Sequence, residues 1–161
     1  ILFLKTYNEI RKQFHEMFRQ LFGGGRAELK LTNPENVLES GIDIYAQPPG
    51  KKLENISLLS GGERSLTGVG LLFATYLIKP SPFCILDEID AALDEANIQR
   101  FVNVLVEFGK KSQFVVITHS KKTVTGAQTL LGVTMQESGV SKIISIRLEN
   151  EVDNEDSKIK V

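Results

Sequence analysis

Apolar residues recur at helical spacing from Thr6 to Phe22, at Tyr7, Ile10, Phe14, Met17, Phe18 and Leu21, and Gly23-Gly24-Gly25 ends the pattern. One amphipathic helix is predicted there. Ala27 to Thr32 and Gly41 to Ala46 alternate instead with period two, as in Leu29 and Leu31 against Glu28 and Lys30, with Pro34 and Pro48-Pro49-Gly50 between or after them. These segments predict antiparallel strands outside the main sheet. Farther on, Phe83-Cys84-Ile85-Leu86 and Phe114-Val115-Val116-Ile117 are continuous apolar runs, the pattern of strands buried on both faces of a parallel sheet. Between them Glu95 to Phe108 carries Ile98, Phe101, Val102, Leu105 and Val106 on one helical face and ends at Gly109, so the stretch reads as a βαβ unit. A short helical or looped segment around Ser120 to Ala127 leads to closing strands at Thr129 to Met135 and Lys142 to Leu148, and the acidic tail Glu149 to Asp156 reads as a frayed end.

Composition narrows this picture only slightly. A chain of 161 residues with 42% hydrophobic content can bury one core, as one domain or one lobe of a larger one. The net charge of -1 gives no broad basic footprint, so composition does not support direct nucleic-acid binding. A single cysteine, Cys84, excludes an internal disulfide and fits a small buried hydrophobe in a reducing compartment. No apolar stretch reaches transmembrane length and no signal-peptide pattern opens the chain, which predicts a soluble, cytoplasmic protein without a membrane partner. Ile1 in place of a methionine reads as the start of a piece cut from a longer polypeptide.

Three groups of residues carry candidate chemistry. Leu59-Ser60-Gly61-Gly62-Glu63-Arg64 puts a glycine pair at the start of a long apolar helix, where free N–H groups and the helix dipole favour an anion such as phosphate. The same Ser60-x-x-Glu63 spacing is that of a capping box, which satisfies the helix end with no ligand at all. Within that helix Gly68 and Gly70 each cost about 1 kcal/mol against alanine, which asks for a packing or functional reason. Next, Asp87-Glu88 follows the buried run directly. Ligands collect at the carboxyl ends of parallel strands, so Asp87 suits a hard cation such as Mg²⁺ and Glu88 suits a base acting on water, against the alternative of a loop start or a helix cap. Finally, His119 follows the second buried strand, and a crossover of roughly 30 residues brings it to the same edge, either to meet a terminal phosphate or as a loop histidine. Asp94 has a structural role available as the N-cap of the crossover helix, and His15 sits beside the first helix's apolar stripe with no partner for chemistry.

In this order, Leu59-Ser60-Gly61-Gly62-Glu63, Phe83 to Glu88, Ala91-Ala92-Leu93-Asp94 and Thr118-His119-Ser120 resemble the signature motif, Walker B, D-loop and switch histidine of ABC-type ATPases. The run Asp87 to Asp94 is similar to SMC (structural maintenance of chromosomes) proteins in particular, and Gly132 to Lys142 resembles the end of bacterial SMC heads. The resemblance implies an α/β fold: the C-terminal half of an ABC-type ATPase head, with a parallel-sheet P-loop NTPase-like core, peripheral antiparallel strands and a leading coiled-coil helix. Residues 1–22 would end the coiled coil, 23–148 would form the lobe and 149–161 the tail. It further implies ATP and Mg²⁺ as cofactors. Ser60, Gly61, Gly62 and Glu63, with Leu59 leading them, would meet the γ-phosphate of ATP bound to an opposing head, Asp87 would serve Mg²⁺, Glu88 the attacking water, His119 the γ-phosphate and Asp94 the dimer interface. Its implied partners are the N-terminal lobe of the same head, a second SMC head, a kleisin subunit, and DNA through the full complex, at the nucleoid, in chromosome condensation and segregation. A DNA-repair ATPase with a coiled coil and a non-catalytic docking lobe are the alternatives, with a transporter domain behind them.

One motif of that family is missing. The sequence has no G-x-x-x-x-G-K-[ST]: Gly50-Lys51-Lys52 lacks the earlier glycine and the following hydroxyl, and Gly23-Gly24-Gly25 precedes Arg26. The chain alone is therefore expected to bind ATP poorly and not to hydrolyse it.

Overall fold

The computed structural model describes residues 2–148, so the acidic tail lies outside the described residues. Helix α1 runs Leu2–Phe22, one turn earlier than the apolar stripe alone indicated, because Leu2, Phe3 and Leu4 extend the helix while remaining largely exposed. The three glycines that follow take φ of +73°, +144° and +82°, which L side chains rarely adopt. At Gly25 a Cβ would also collide with the carbonyl of Gln47, so this turn needs glycine for space as well as for φ.

Strands β1 (Arg26–Leu31), β2 (Ile42–Gln47) and β3 (Glu54–Asn55) form an antiparallel sheet in the order β1-β2-β3, with Leu29 opposite Ile44. The first two are the expected strands shifted by one residue; β3 and the short 3₁₀ turn Ile56–Leu58 carry too few residues to show a period. Helix α1 lies on this sheet, where the Tyr7 hydroxyl donates to the Leu29 carbonyl at 2.7 Å and His15 Nδ1 is 3.3 Å from the Ala27 carbonyl. His15 thus packs where the sheet meets the helix.

Helix α2 (Gly61–Ile78) packs along α1 and buries Leu66, Phe73 and Ala74 in the core. Gly70 faces α1, and a Cβ there would touch Leu21 and Phe14 at 3.6 and 3.8 Å, whereas nothing lies within 4 Å of a Cβ at Gly68. Close helix packing accounts for Gly70; nothing in the fold accounts for Gly68.

Strand β4 (Phe83–Asp87), helix α3 (Glu95–Phe108) and strand β5 (Gln113–Ile117) form the expected βαβ unit, with β4 and β5 parallel and Asp87 level with Ile117. Gly109 follows α3 in a right-handed conformation (φ -59°), so helix growth stops there without the left-handed turn that glycine usually supplies. The expectation of burial on both faces needs correction. Cys84, Leu86, Phe114 and Val116 turn towards the core, while Phe83, Ile85, Val115 and Ile117 on the other face are 59%, 62%, 42% and 50% exposed. Two strands and the helices of one side cannot cover both faces. Helix α4 (Lys121–Thr125) packs on α3, and β6 (Thr129–Glu137) pairs with β7 (Val140–Arg147) in an antiparallel hairpin longer at its tip than predicted. No described helix is long and apolar enough to cross a membrane.

Candidate functional site

The site is built at the carboxyl edge of the parallel pair. Because β4 and β5 run the same way in register, Asp87 and the segment leading to His119 leave the sheet at the same end, and Glu88 follows Asp87 directly. The Glu88 Oε1 to His119 Nε2 distance is 2.9 Å, so the glutamate and the imidazole meet, while Asp87 ends its strand at the same edge. Both members of this pair are open to solvent, with side chains 51% and 89% exposed.

Glu88 is also the one non-glycine residue with positive φ among those described, at +50°. This left-handed conformation costs roughly 1–2 kcal/mol in an ordinary L-residue. It is held by local hydrogen bonds: the Glu88 N–H donates to the Ile117 carbonyl at 2.9 Å, continuing the β4–β5 ladder, and the Glu88 carbonyl accepts from Ala91 N–H at 3.1 Å. A second turn follows, with Leu93 N–H donating to the Asp90 carbonyl at 3.0 Å, and then Asp94 caps α3 by accepting from Asn97 N–H at 2.8 Å and Asn97 Nδ2 at 3.0 Å. The strain therefore sits on the residue whose carboxylate faces the imidazole.

As a candidate cation ligand Asp87 stands without a protein partner among the described residues. No cluster of three His, Cys, Asp or Glu side chains fit for a metal occurs among the described residues. A single strand-end carboxylate fits Mg²⁺ well when a polyphosphate supplies the other oxygens, since that ion keeps waters and takes few protein ligands. It would not fit a metal held by protein alone.

The second half of the site is the start of α2. Ser60 is its N-cap, and the capping box forms: Ser60 N–H donates to Glu63 Oε2 at 3.2 Å and Glu63 N–H donates to Ser60 Oγ at 3.5 Å, while Ser60 Oγ also donates to Glu63 Oε2 at 2.8 Å. Lys51, on the loop after β2, reaches the same carboxylate at 2.9 to 3.0 Å, a contact the sequence spacing did not announce. Lys51 holds the Glu63 carboxyl below the usual glutamate range, with Ser60 adding to the effect and partial burial opposing it. Gly61 has open space where a Cβ would be, whereas a Cβ at Gly62 would lie 2.9 Å from the Ala92 carbonyl. Gly62 therefore lets the helix start press against the segment after Glu88, and Gly61 leaves room for an incoming anion. Leu59 is only 6% exposed, so it anchors this loop in the core. The Arg64 guanidinium fastens the approach by donating to the Ser57 and Leu59 carbonyls at 2.9 and 3.3 Å. An open groove between α2 and the turn, lined by Ser65, Gly68, Leu72, Glu88, Ala91 and Ala92, links the two halves.

The arrangement thus offers an anion seat at a helix start, and a carboxylate, a strained glutamate and an imidazole at a sheet edge. Residues 4–142 match the family model described as the RecF/RecN/SMC N terminal domain. The chain belongs to the RecF/RecN/SMC family. It is 58% identical over 147 residues, 91% of its length, to the chromosome partition protein Smc of Bacillus subtilis (strain 168), and spans 12% of that relative. It therefore corresponds to a small part of the curated relatives it matches. Among solved structures it is 41% identical, with a TM-score of 0.84, to a chain studied for ATP-driven dimerization and DNA stimulated activation of SMC ATPases, covering 90% of this chain and 88% of that one. It is also 42% identical, with a TM-score of 0.82, to an Smc head domain with an extended coiled coil bound to the C-terminal domain of ScpA derived from Pyrococcus furiosus, covering 89% of this chain and 36% of that one. An SMC-head fold is therefore shared.

Proposed function

We propose that this chain is the C-terminal lobe of an SMC ATPase head, which joins an N-terminal lobe and closes on a second head to hydrolyse ATP in chromosome partition. The observation that carries the reading is the strained Glu88 beside His119, at the carboxyl edge of a parallel pair that ends in Asp87. Stored backbone strain at an exposed acid is a feature of sites that act on something.

In this reading Glu88 orients the attacking water and takes its proton, while His119 Nε2 donates to the γ-phosphate. In this reading their mutual contact would break to admit water and phosphate. Asp87 would hold Mg²⁺, which supplies charge neutralisation to the phosphates when bound. The Ser60 hydroxyl and the N–H groups of Gly61 and Gly62 would meet the γ-phosphate of the opposing head's ATP at the positive end of α2, and Asp94 and Ala92 would face that head. The missing phosphate-cradling loop belongs in this reading to the N-terminal lobe. A two-stranded parallel sheet with one bare apolar face supports the same division, since parallel sheets are covered on both sides and rarely stop at two strands. Helix α1 would continue into a coiled coil. A kleisin subunit of the ScpA type, and DNA reached through the assembled complex, are the partners this reading gives.

The test is Glu88→Gln in the head reunited with its N-terminal lobe. Turnover should fall by about 10²-fold or more while an ATP-bound head dimer accumulates on size-exclusion chromatography. Unchanged turnover would remove Glu88 from the role. The separate chain, assayed with and without the N-terminal lobe, should turn over ATP only in the joined form.

A further inference from the structure

The two side chains at the sheet edge are too exposed for packing to hold them. Their relative position must come from what fixes the two backbone segments that carry them. One such support is the hydrogen bond from Glu88 N–H to the Ile117 carbonyl. The other is a carboxylate that the chemistry above does not use. Asp90 is 2% exposed, and its Oδ2 accepts from Thr118 Oγ1 at 2.6 Å and from Thr123 Oγ1. Thr118 Oγ1 in turn accepts from Ser120 N–H at 2.9 Å. Both hydroxyl donors lie on the segment that carries His119, and Asp90 lies two residues beyond Glu88.

A buried acid is an expensive way to join a turn to a loop. Desolvating a carboxylate costs several kcal/mol in the absence of a cation, and among the described residues no salt bridge reaches Asp90. Apolar groups of similar size would hold the same segments together at less cost, but without direction. Two hydroxyls on one charged oxygen fix direction as well as distance, because charge-assisted hydrogen bonds are short and strong.

We propose that Asp90 is a positioning residue: through Thr118 it sets the loop bearing His119 against the turn bearing Glu88, so that imidazole and carboxylate stay in register before nucleotide arrives. The inference rests on the reading of Glu88 and His119 as the hydrolytic pair. Thr118 is the link to His119, and Thr123 only anchors α4.

The experiment uses the whole head, this chain joined to its N-terminal lobe. Thr118→Val should lower kcat at least tenfold with KM for ATP changed less than twofold, and Thr118→Ser, which keeps the hydroxyl, should restore it. Thr123→Val should leave kcat within threefold even where it lowers the unfolding midpoint more. In the nucleotide-free head, the His119 ring signals in NMR should be single in the parent and in Thr118→Ser, and broadened or doubled in Thr118→Val. Should the valine variant fail to fold, the combination Asp90→Leu, Thr118→Val and Thr123→Val removes charge and hydroxyls together and should still show the loss of kcat. Parental kcat in a folded Thr118→Val or combined variant, or a loss in Thr123→Val equal to that in Thr118→Val, overturns the proposal. Glu88→Gln is run alongside. If it too keeps full turnover, the hydrolytic reading has failed; if it is inactive while Thr118→Val is not, only the role of Asp90 has failed.

Discussion

The two faces of the β4–β5 pair are equally apolar in sequence and differ completely in what covers them. On one face Phe73 of α2 lies among Phe101, Phe108 and Phe114, with ring centroids 6.0, 5.3 and 6.5 Å away, and is itself 1% exposed. On the other, Phe83, Ile85, Val115 and Ile117 stand exposed among the described residues. An apolar run reports the burial a strand reaches in the finished assembly. It does not report how much of that burial its own chain supplies. Here the covered face builds the lobe, and the bare face remains for the partner that the proposed function requires.

The contrast is broken most strongly from the covered side. Phe73→Ala should cost about 3–5 kcal/mol, because it removes a ring held in aromatic contact and leaves a cavity between two helices and a sheet. Urea unfolding should show a large fall in midpoint with little change in slope. A loss below about 1 kcal/mol would mean that the cluster is not the core of the lobe. On the bare side, Ile85→Thr keeps a β-branched residue in the strand and should move the stability of this chain by no more than about 0.5 kcal/mol. Its effect belongs to association. If the N-terminal lobe covers this face, full burial of the isoleucine contributes roughly 1.5–3 kcal/mol, so calorimetry should show affinity for that lobe falling tenfold or more. Unchanged affinity would assign the face to another partner or to none.

The same distinction explains what the sequence made legible. Helices α1 and α3 carry strong periods and real stop signals, and α3 begins and ends at the expected residues. Asp87, Glu88 and His119 could be assigned to one end of the sheet because a βαβ unit leaves little choice of strand direction. Lys51 could not be paired with Glu63, since the contact joins a loop to a helix start through no shared period. Asp90 was hidden differently: it sits inside a motif whose neighbours have obvious chemistry, and its burial depends on hydroxyls that lie 28 and 33 residues away. The positive φ of Glu88 likewise has no signature in residue type, because glutamate does not favour that conformation. The exposed sheet face carries the same apolar signal as the covered one, because an apolar run does not report whether its own chain supplies the cover.

The start of α2 is the polar counterpart of the bare face, because its groups are satisfied within this chain yet stand where a phosphate would seat. Ser60, Glu63 and Lys51 bond one another, and a phosphate would compete for the same hydroxyl. The strength of that internal tie can be read from pH. Because the folded state depresses the Glu63 pKa, chiefly through Lys51, the unfolded chain takes up the proton first as pH falls. The stabilisation is therefore complete above the ordinary glutamate range and lost as pH drops through it towards the lower folded value. Glu63→Gln keeps a capping-box side chain but gives up the charge, so at pH 7 it should be less stable than the parent by about 0.2–1 kcal/mol, as expected for a pair whose lysine is open to solvent. Thermal melts of the two proteins should converge below the glutamate range and separate above it. A gap that persists unchanged at acid pH would mean that Lys51 does not hold the carboxylate.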